Sequence, residues 1–487
     1  CPVGALTSKP YAFVARSWEL AKTDSVDVLD AVGANIRIDA RGPEVLRILP
    51  RTNDDVNEEW LGDKSRFAVD GLKRRRLDRP WVRRDGVLTP ASWDEAFAAI
   101  AERLRGVAGE RIGAISGDLC DAESLLALRD LMGALGSGNL DCRQRGERLE
   151  SGRRDFHCFN TAIAGIDEAD AIVLIGTDPR REAPVLNARI RKRWLAAGIP
   201  VFVVGPARDL TYPVTHLGEG PAALRALLAA PPEALRAAKN PMVVLGAAAT
   251  ARADGAAVLA AAWKLAADLG ALRADWHGFN LLHHAAGLPL GLDLGFVPGA
   301  GGKDAAAMLA GGVDVLWLLG ADEIDAARIP AGTFVIYQGH HGDRGAARAD
   351  VILPGAAYTE KHGTYVNTEG RVQRGQPAIA PPGEAREDWT IPRALSAALG
   401  HALPYDDLDA LRVRLEQVNP VFARTDYLPR FGCADPVGPS GDPAAMGDAP
   451  FAPAVTNYYQ TDPISRASPT MAECTATHAA PVAQAAE

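Results

Sequence analysis

Short, unbroken apolar runs alternating with helix-patterned segments constrain this chain more than any other feature of its sequence. The runs fall at 112–115, 171–175, 200–204, 242–245, 314–319, 333–337 and 350–353. They are of strand length, and a strand that is apolar throughout must be covered on both faces. Between them, 121–135, 181–197, 221–229 and 253–269 place apolar residues at helical spacing. Strands alternating with helices build a parallel sheet covered by helices on both faces, so the predicted class is α/β. The runs fall into two sets, roughly 110–210 and 240–355, which predicts two nucleotide-fold-like halves. A ligand cleft is expected between them, where the strand order reverses.

Ahead of this core, NIRIDARGPEVLRILP at 35–50 reads as a hairpin turning at Gly42-Pro43. The region up to Asp85 is short-stranded and charge-rich, which predicts a small β module. Ser92 and Glu95 form a capping box that opens a helix from Asp94 to about Val107. Two more helices are predicted at 391–399 and 406–418. From Pro429 the chain is rich in Pro, Ala and Gly, a composition that does not fold alone. Within it, Asn457-Tyr458-Tyr459 and the stretch 461–466 are read as an arm that docks on a neighbour or on its own body. Disorder is expected from about Thr475.

Length and charge narrow the function. With 487 residues, about three domains are expected. A net charge of −9 speaks against a general nucleic-acid binder. No apolar run approaches the ~18 residues of a bilayer span, and no signal-like segment opens the sequence. One basic cluster, 73–76 with Arg79, Arg83 and Arg84, is either a solvated face or a docking element.

Candidate chemistry lies in three places. Cys1 is followed by Pro2, as the closing ligand of a ferredoxin-type iron–sulfur motif is. Cys120, Cys142, Cys158, Cys433 and Cys474 lie far apart without a C-x-x-C, so spacing supports no cluster or zinc site within the chain. The second place is the strand end Gly176-Thr177-Asp178-Pro179-Arg180, where amides before a helix could cradle a phosphate, although no G-x-G-x-x-G is present. The third is the loop after 350–353, where Pro354 and Gly355 stop the strand. There Thr359, Glu360, His362, Thr364, Asn367, Thr368, Glu369, Arg371 and Gln373 crowd together. Such a loop either meets a ligand or satisfies its own donors and acceptors. The doublets His283-His284 and His340-His341 are read as structural, since neighbours on a strand face opposite ways.

The order E-x-x-G-T-x-x-N-x-E-G-R-x-Q at 360–373 resembles the cofactor-cleft loop of molybdopterin oxidoreductases. CPVGALTSKPYAF at 1–13, NDDVNEEW at 53–60, KSRFAVDGLKRRRL at 64–77, GTDPRREAPVLNARIRKRW at 176–194 and YYQTDPISRASPTMAEC at 458–474 carry a more specific resemblance. They resemble the large iron–sulfur subunits (75 kDa type) of respiratory complex I, the NADH:quinone oxidoreductase, over essentially the whole chain.

That resemblance implies the end of an iron–sulfur domain at 1–25 and, at 26–85, a β module of the cluster-binding type without its cysteines. It further implies a molybdopterin-oxidoreductase-like α/β domain at 86–430 and an extended docking tail at 431–487. Cys1 would be the last of four cysteines around a 4Fe-4S cluster. A further 4Fe-4S and a 2Fe-2S cluster would lie upstream, in a longer protein that this sequence enters partway. The implied partners are the flavin-bearing NADH-binding subunit, the small 2Fe-2S subunit and the quinone-site subunits. The implied place is peripheral, on the cytoplasmic face of a bacterial inner membrane or on the mitochondrial matrix side, with no nucleic acid bound.

Against catalytic members, residues 31–34 and 61–64 stand about where cluster cysteines would be, and no cysteine occurs between Cys1 and Cys120. Asp141 and Cys142 stand near the position that offers a metal ligand, but the sequence after them departs from the motif. The expectation is a vestigial cleft lined by Gly176, Asp178, Arg180, Glu360, Thr364, Asn367 and Arg371, with no molybdopterin. The alternatives are a catalytic molybdopterin oxidoreductase acting on a small substrate such as formate, and a nucleotide-binding scaffold without redox chemistry.

Overall fold

The computed structural model describes residues 4–428 and 432–479, and the expected apolar runs all lie in strands of two sheets. The smaller sheet is parallel throughout, in the order Thr215–Gly218, Val201–Val204, Ala171–Ile175, Pro241–Gly246 and Phe279–Leu282. Its central strands, Ala171–Ile175 and Pro241–Gly246, are buried at every residue, as continuous apolar runs require. The larger sheet runs Val87–Pro90, Trp81–Arg84, Val351–Pro354, Phe334–Gly339, Val315–Leu319, Ile112–Ser116 and Leu140–Asp141. It is antiparallel only at the edge hairpin Trp81–Arg84 and Val87–Pro90.

The strands do not divide in sequence order as expected. The chain leaves the larger sheet after Leu140–Asp141, builds the whole smaller sheet, and returns at Val315–Leu319 to pair with Ile112–Ser116. Periodicity shows that a run is a strand, and it carries no information about the neighbour chosen across such a distance. Trp81–Arg84, read as the end of the β module, likewise joins the larger sheet through Val82 and Val351.

The β module holds the expected hairpin, Asn35–Arg41 paired with Glu44–Pro50, with Gly42 in the left-handed region at φ +59°. A third strand, Ala21–Val26, pairs with Asn35–Arg41. The capping box forms as read: Ser92 Oγ accepts from the Glu95 amide at 3.2 Å, and Glu95 accepts from the Ser92 amide at 2.9 Å. It opens the helix Trp93–Leu104, which buries Ala96, Ile100 and Leu104.

The arm docks on its own body. Ile464 and Met471 enter the core of the β module beside Leu61 and Leu72. Helix Pro463–Ala467 comes so near the turn Ala68–Lys73 that a Cβ on Gly71 would lie 2.1 Å from the Ile464 carbonyl oxygen. Asp70 accepts from the Thr470 amide at 3.0 Å and from its hydroxyl at 2.8 Å. Lys64 Nζ donates to Thr461 at 2.6 Å. Where disorder was expected from Thr475, Thr475–Ala479 continues as a wide helical turn; the rest of that stretch lies outside the described residues.

Candidate functional site

The carboxyl ends of both sheets' strands lead into one polar region. Ile112–Ser116 runs into Asp118, Val315–Leu319 into Asp322 and Glu323, Phe334–Gly339 into His340 and His341, and Phe279–Leu282 into His283 and His284. The loop after Val351–Pro354 crosses to the smaller sheet, where Thr368 Oγ1 donates to Leu281 O at 3.0 Å. This is the place where an open α/β sheet takes a ligand.

Here the chain's own side chains fill it. Arg145 lies 2.8 Å from Asp118 and 3.8 Å from Glu323, and donates to His284 Nε2. An arginine only donates, so that ring nitrogen accepts. Burial, with Arg145 beside it, lowers the pKa of His284 to about 3 and keeps the ring neutral. Gln144 joins the two acids, donating to Asp118 at 2.6 Å and accepting from the Glu323 amide at 3.3 Å. Burial pushes the nearby Glu147 up to about 7, against the pull of Arg145. From the arm, Arg466 reaches Glu323 and Asp343, each at 2.6 Å.

The expected cleft residues are mostly committed to internal partners. Glu360 takes a two-pronged contact from Arg76 at 2.5 Å. Thr364 donates its amide and hydroxyl to Glu123, each at 2.7 Å, and Arg412 binds the same carboxylate at 3.0 Å. Asn367 donates to Val32 O at 3.0 Å and accepts from the Arg371 amide at 2.9 Å. Arg371 holds Glu369 at 2.7 Å. Lys361 sits buried between Asp121 at 2.7 Å and Asp388 at 2.6 Å. Of the two readings of this loop, the self-satisfied one describes most of its groups.

The turn after Ala171–Ile175 is also occupied from within. Gly176 has φ +57°, and Glu182 accepts from the Asp178 amide at 3.0 Å and from the Thr177 hydroxyl at 2.7 Å. A carboxyl group of the chain thus takes an amide that a phosphate would need. Arg180 pairs with Asp209 at 2.7 Å.

The expected residues do not converge on one pocket. Asp178 and Arg180 line an open cleft of about 950 Å³ beside Arg208 and Tyr458. Arg371 lines another, of about 410 Å³, with Asp155 and His277. Glu360, Thr364 and Asn367 line neither.

Asp141 and Cys142, near the position that offers a metal ligand in catalytic members, both face inward. Cys142 is buried and burial raises its thiol, while Asp141 is bound by Arg143 at 2.8 Å and by the Ala305 amide at 3.0 Å. Neither side chain is free to ligate a metal from the cleft. Cys1 lies outside the described residues. The histidine doublets are engaged locally: His283 with His157 O at 2.6 Å, and His341 with Gly71 O at 2.9 Å. The basic cluster is not one surface, because Arg76 turns inward to Glu360 and Arg83 donates to Ala349 O at 3.0 Å. Sequence reasoning missed Glu123, Arg145, Lys361 and Arg466. The available signal was charged residues directly after apolar runs, such as Asp118 and Glu323, which need buried partners.

Residues 76–398 match the molybdopterin oxidoreductase family. Residues 20–70 match the NADH-ubiquinone oxidoreductase NDSU1/NuoG-like 4Fe-4S domain, and 435–474 match the C-terminal family of the G-type subunit of NADH-ubiquinone oxidoreductase. The 4Fe-4S match supports an iron–sulfur cluster in this subunit. Residues 20–70 contain neither cysteine nor histidine.

The chain is 48% identical, over 98% of its length, to the mitochondrial 78 kDa subunit of NADH-ubiquinone oxidoreductase from Neurospora crassa, covering 65% of that protein. It is 47% identical, over 99% of its length, to the Candida albicans counterpart, covering 68% of it. The chain therefore spans about two thirds of the length of these curated relatives. Among solved structures, acetylene hydratase from Pelobacter acetylenicus superposes with a TM-score of 0.57 at 13% identity, covering 83% of this chain and 73% of that one. That likeness shows the fold alone. The chain belongs to the family of 78 kDa, NuoG-like subunits of NADH-ubiquinone oxidoreductase, built on a molybdopterin oxidoreductase fold.

Proposed function

We propose that this chain is the scaffold part of a peripheral-arm subunit that takes part in NADH-to-quinone electron transfer. The observation that carries the reading is the strand-end cleft, closed by Arg145, Glu323 and the arm's Arg466 where a catalytic relative would admit a cofactor. Its α/β body braces iron–sulfur clusters held nearby. We assign Cys1 as one ligand of a 4Fe-4S cluster. The other cysteines are buried singly or stand alone on separate segments. A further 4Fe-4S and a 2Fe-2S cluster belong to the rest of the subunit. Thiolate-held clusters pass single electrons at potentials set by nearby charge and hydrogen bonds.

The partners in this reading are the flavin-bearing NADH-binding subunit, the small 2Fe-2S subunit and the quinone-site subunits. The subunit sits peripherally, on the cytoplasmic face of a bacterial inner membrane or on the matrix side of a mitochondrial one. Among the described residues no helix is long and apolar enough to cross a membrane. A catalytic molybdopterin oxidoreductase acting on a small substrate such as formate is not favoured, because no described side chain is offered to a metal in that cleft. The test is the metal content of the particle that co-purifies with the chain from native membranes. Iron without molybdenum, together with NADH-dependent quinone reduction, is expected. Stoichiometric molybdenum with extractable pterin would overturn the proposal.

A further inference from the structure

A separate cluster lies in the 410 Å³ cleft. Asp155, His277 and Cys433 each bring one ligand atom to within 4.8 Å of the other two. His277, just ahead of the strand Phe279–Leu282, is only 3% exposed, and neither ring nitrogen makes a hydrogen bond. Its Nε2 stands 3.7 Å from Asp155 Oδ2. That leaves the buried ring with one long contact to a carboxylate and no hydrogen bond of normal length, and a buried polar group short of partners calls for an explanation. Asp155 and His277 line the cleft, as do Gly432 and Ala434 on either side of Cys433.

The carboxylate of the cluster is held in place by an arginine. Arg153 grips both oxygens of Asp155, through Nε to Oδ1 at 3.0 Å and through Nη2 to Oδ2. The guanidinium is held in turn by Asp435 O at 2.7 Å, Asp435 Oδ2 at 3.2 Å and Val437 O at 2.8 Å. The guanidinium also lies over the Phe156 ring at 4.4 Å. Arg153 is thus fixed as an outer partner that orients the carboxylate, as partners of metal ligands do. Each carboxylate oxygen has a second lone-pair direction left for an ion.

We infer that Asp155, His277 and Cys433 form a binding site for a divalent ion of zinc type, which pins the start of the C-terminal arm to the α/β body. Imidazole, thiolate and carboxylate together suit Zn²⁺, whereas Mg²⁺ and Ca²⁺ prefer oxygen alone. Tetrahedral Zn²⁺ sets its ligand atoms about 3.3–3.8 Å apart, so closure takes side-chain shifts of about 1 Å. Cys433 now donates to Asp435 O at 3.3 Å; on binding, its thiol proton leaves to solvent as the Zn–S bond forms. Three protein ligands leave the fourth position to water on the cleft side. The site is independent of the electron-transfer reading.

The 487-residue chain, stripped with a chelator, is titrated with Co²⁺ and then with Zn²⁺. One equivalent of Co²⁺ should give a thiolate-to-cobalt charge-transfer absorption that Zn²⁺ abolishes, and Zn²⁺ should raise Tm. Cys433→Ser should remove the absorption. Asp155→Asn should weaken Zn²⁺ by about 100-fold or more, since losing even an outer-shell partner costs about 10–100-fold. Cys433 is half-exposed, so its substitution tests the site even if His277→Gln fails to fold. Absence of the absorption, or the same absorption and stoichiometry in Cys433→Ser, would overturn the inference.

Discussion

Glu182 shows how a single side chain decides what the turn 176–180 can do. It is buried, and burial pushes its carboxyl up to about 7, although the Asp178 amide and the Thr177 hydroxyl both donate to it. A carboxyl raised in the folded state contributes stability that is full below about pH 4.5 and is lost as pH rises through 7. Between pH 5 and pH 8, Glu182→Gln should therefore gain up to about 3 kcal/mol on the wild type. Urea unfolding at both pH values checks this, and parallel pH dependences would contradict it. Lys361 is the opposite case, a buried cation holding Asp121 and Asp388 together. Lys361→Met should destabilise by about 3–5 kcal/mol, because two carboxylates lose their counter-charge. Adding Asp121→Asn and Asp388→Asn should restore much of that loss in the same assay. Neither role was legible in the sequence, where Glu182 and Lys361 are ordinary charged residues. Their burial is created by elements that arrive from far along the chain.

At the scale of elements, the sequence was most legible where one segment alone sets the pattern. Ala171–Ile175 and Pro221–Ala229 fall where their patterns place them, because continuous apolarity and helical spacing are local properties. Ala21–Val26 was not legible: it is mostly polar, and what makes it a strand is its pairing with Asn35–Arg41. Thr215–Gly218 is a largely exposed edge strand held by Val201–Val204, so it too lacks an apolar signature. The arm was legible as something that docks, and its target was not, because the close approach at Gly71 depends on the folded turn Ala68–Lys73. Gly71→Ala should push Pro463–Ala467 away at an overpacking cost of about 1–3 kcal/mol. Faster amide hydrogen exchange confined to 463–474 is the expected result. Unchanged protection there would mean that the arm is held by its ion pairs alone.

Across the whole molecule, the loop 355–373 ties together bodies whose strands are far apart in sequence. It leaves the larger sheet, touches the smaller one at Leu281 through Thr368, and grips the β module through Thr368 N to Ala31 O at 2.7 Å. Gln373 extends the grip, donating to Gly33 O at 2.9 Å and Asn35 Oδ1 at 3.0 Å. The resemblance placed cluster cysteines of catalytic relatives at about residues 31–34, and in this chain the same stretch serves as a backbone anchor. The loop's polar groups were legible as a set, but their direction depended on the nested path of the chain, which no local pattern reports. Because these bonds join three sheets, heat should unfold the chain in one cooperative transition. Gln373→Ala leaves two buried acceptors without their donor, a loss of about 2–4 kcal/mol borne by the junction of the β module. Calorimetry of that variant should show an earlier transition splitting from the main one, with an enthalpy suited to a module of this small size. A single transition merely shifted to lower temperature would instead mean that the arm, through Ile464, Met471 and the bond from Lys64 to Thr461, suffices to keep module and body together.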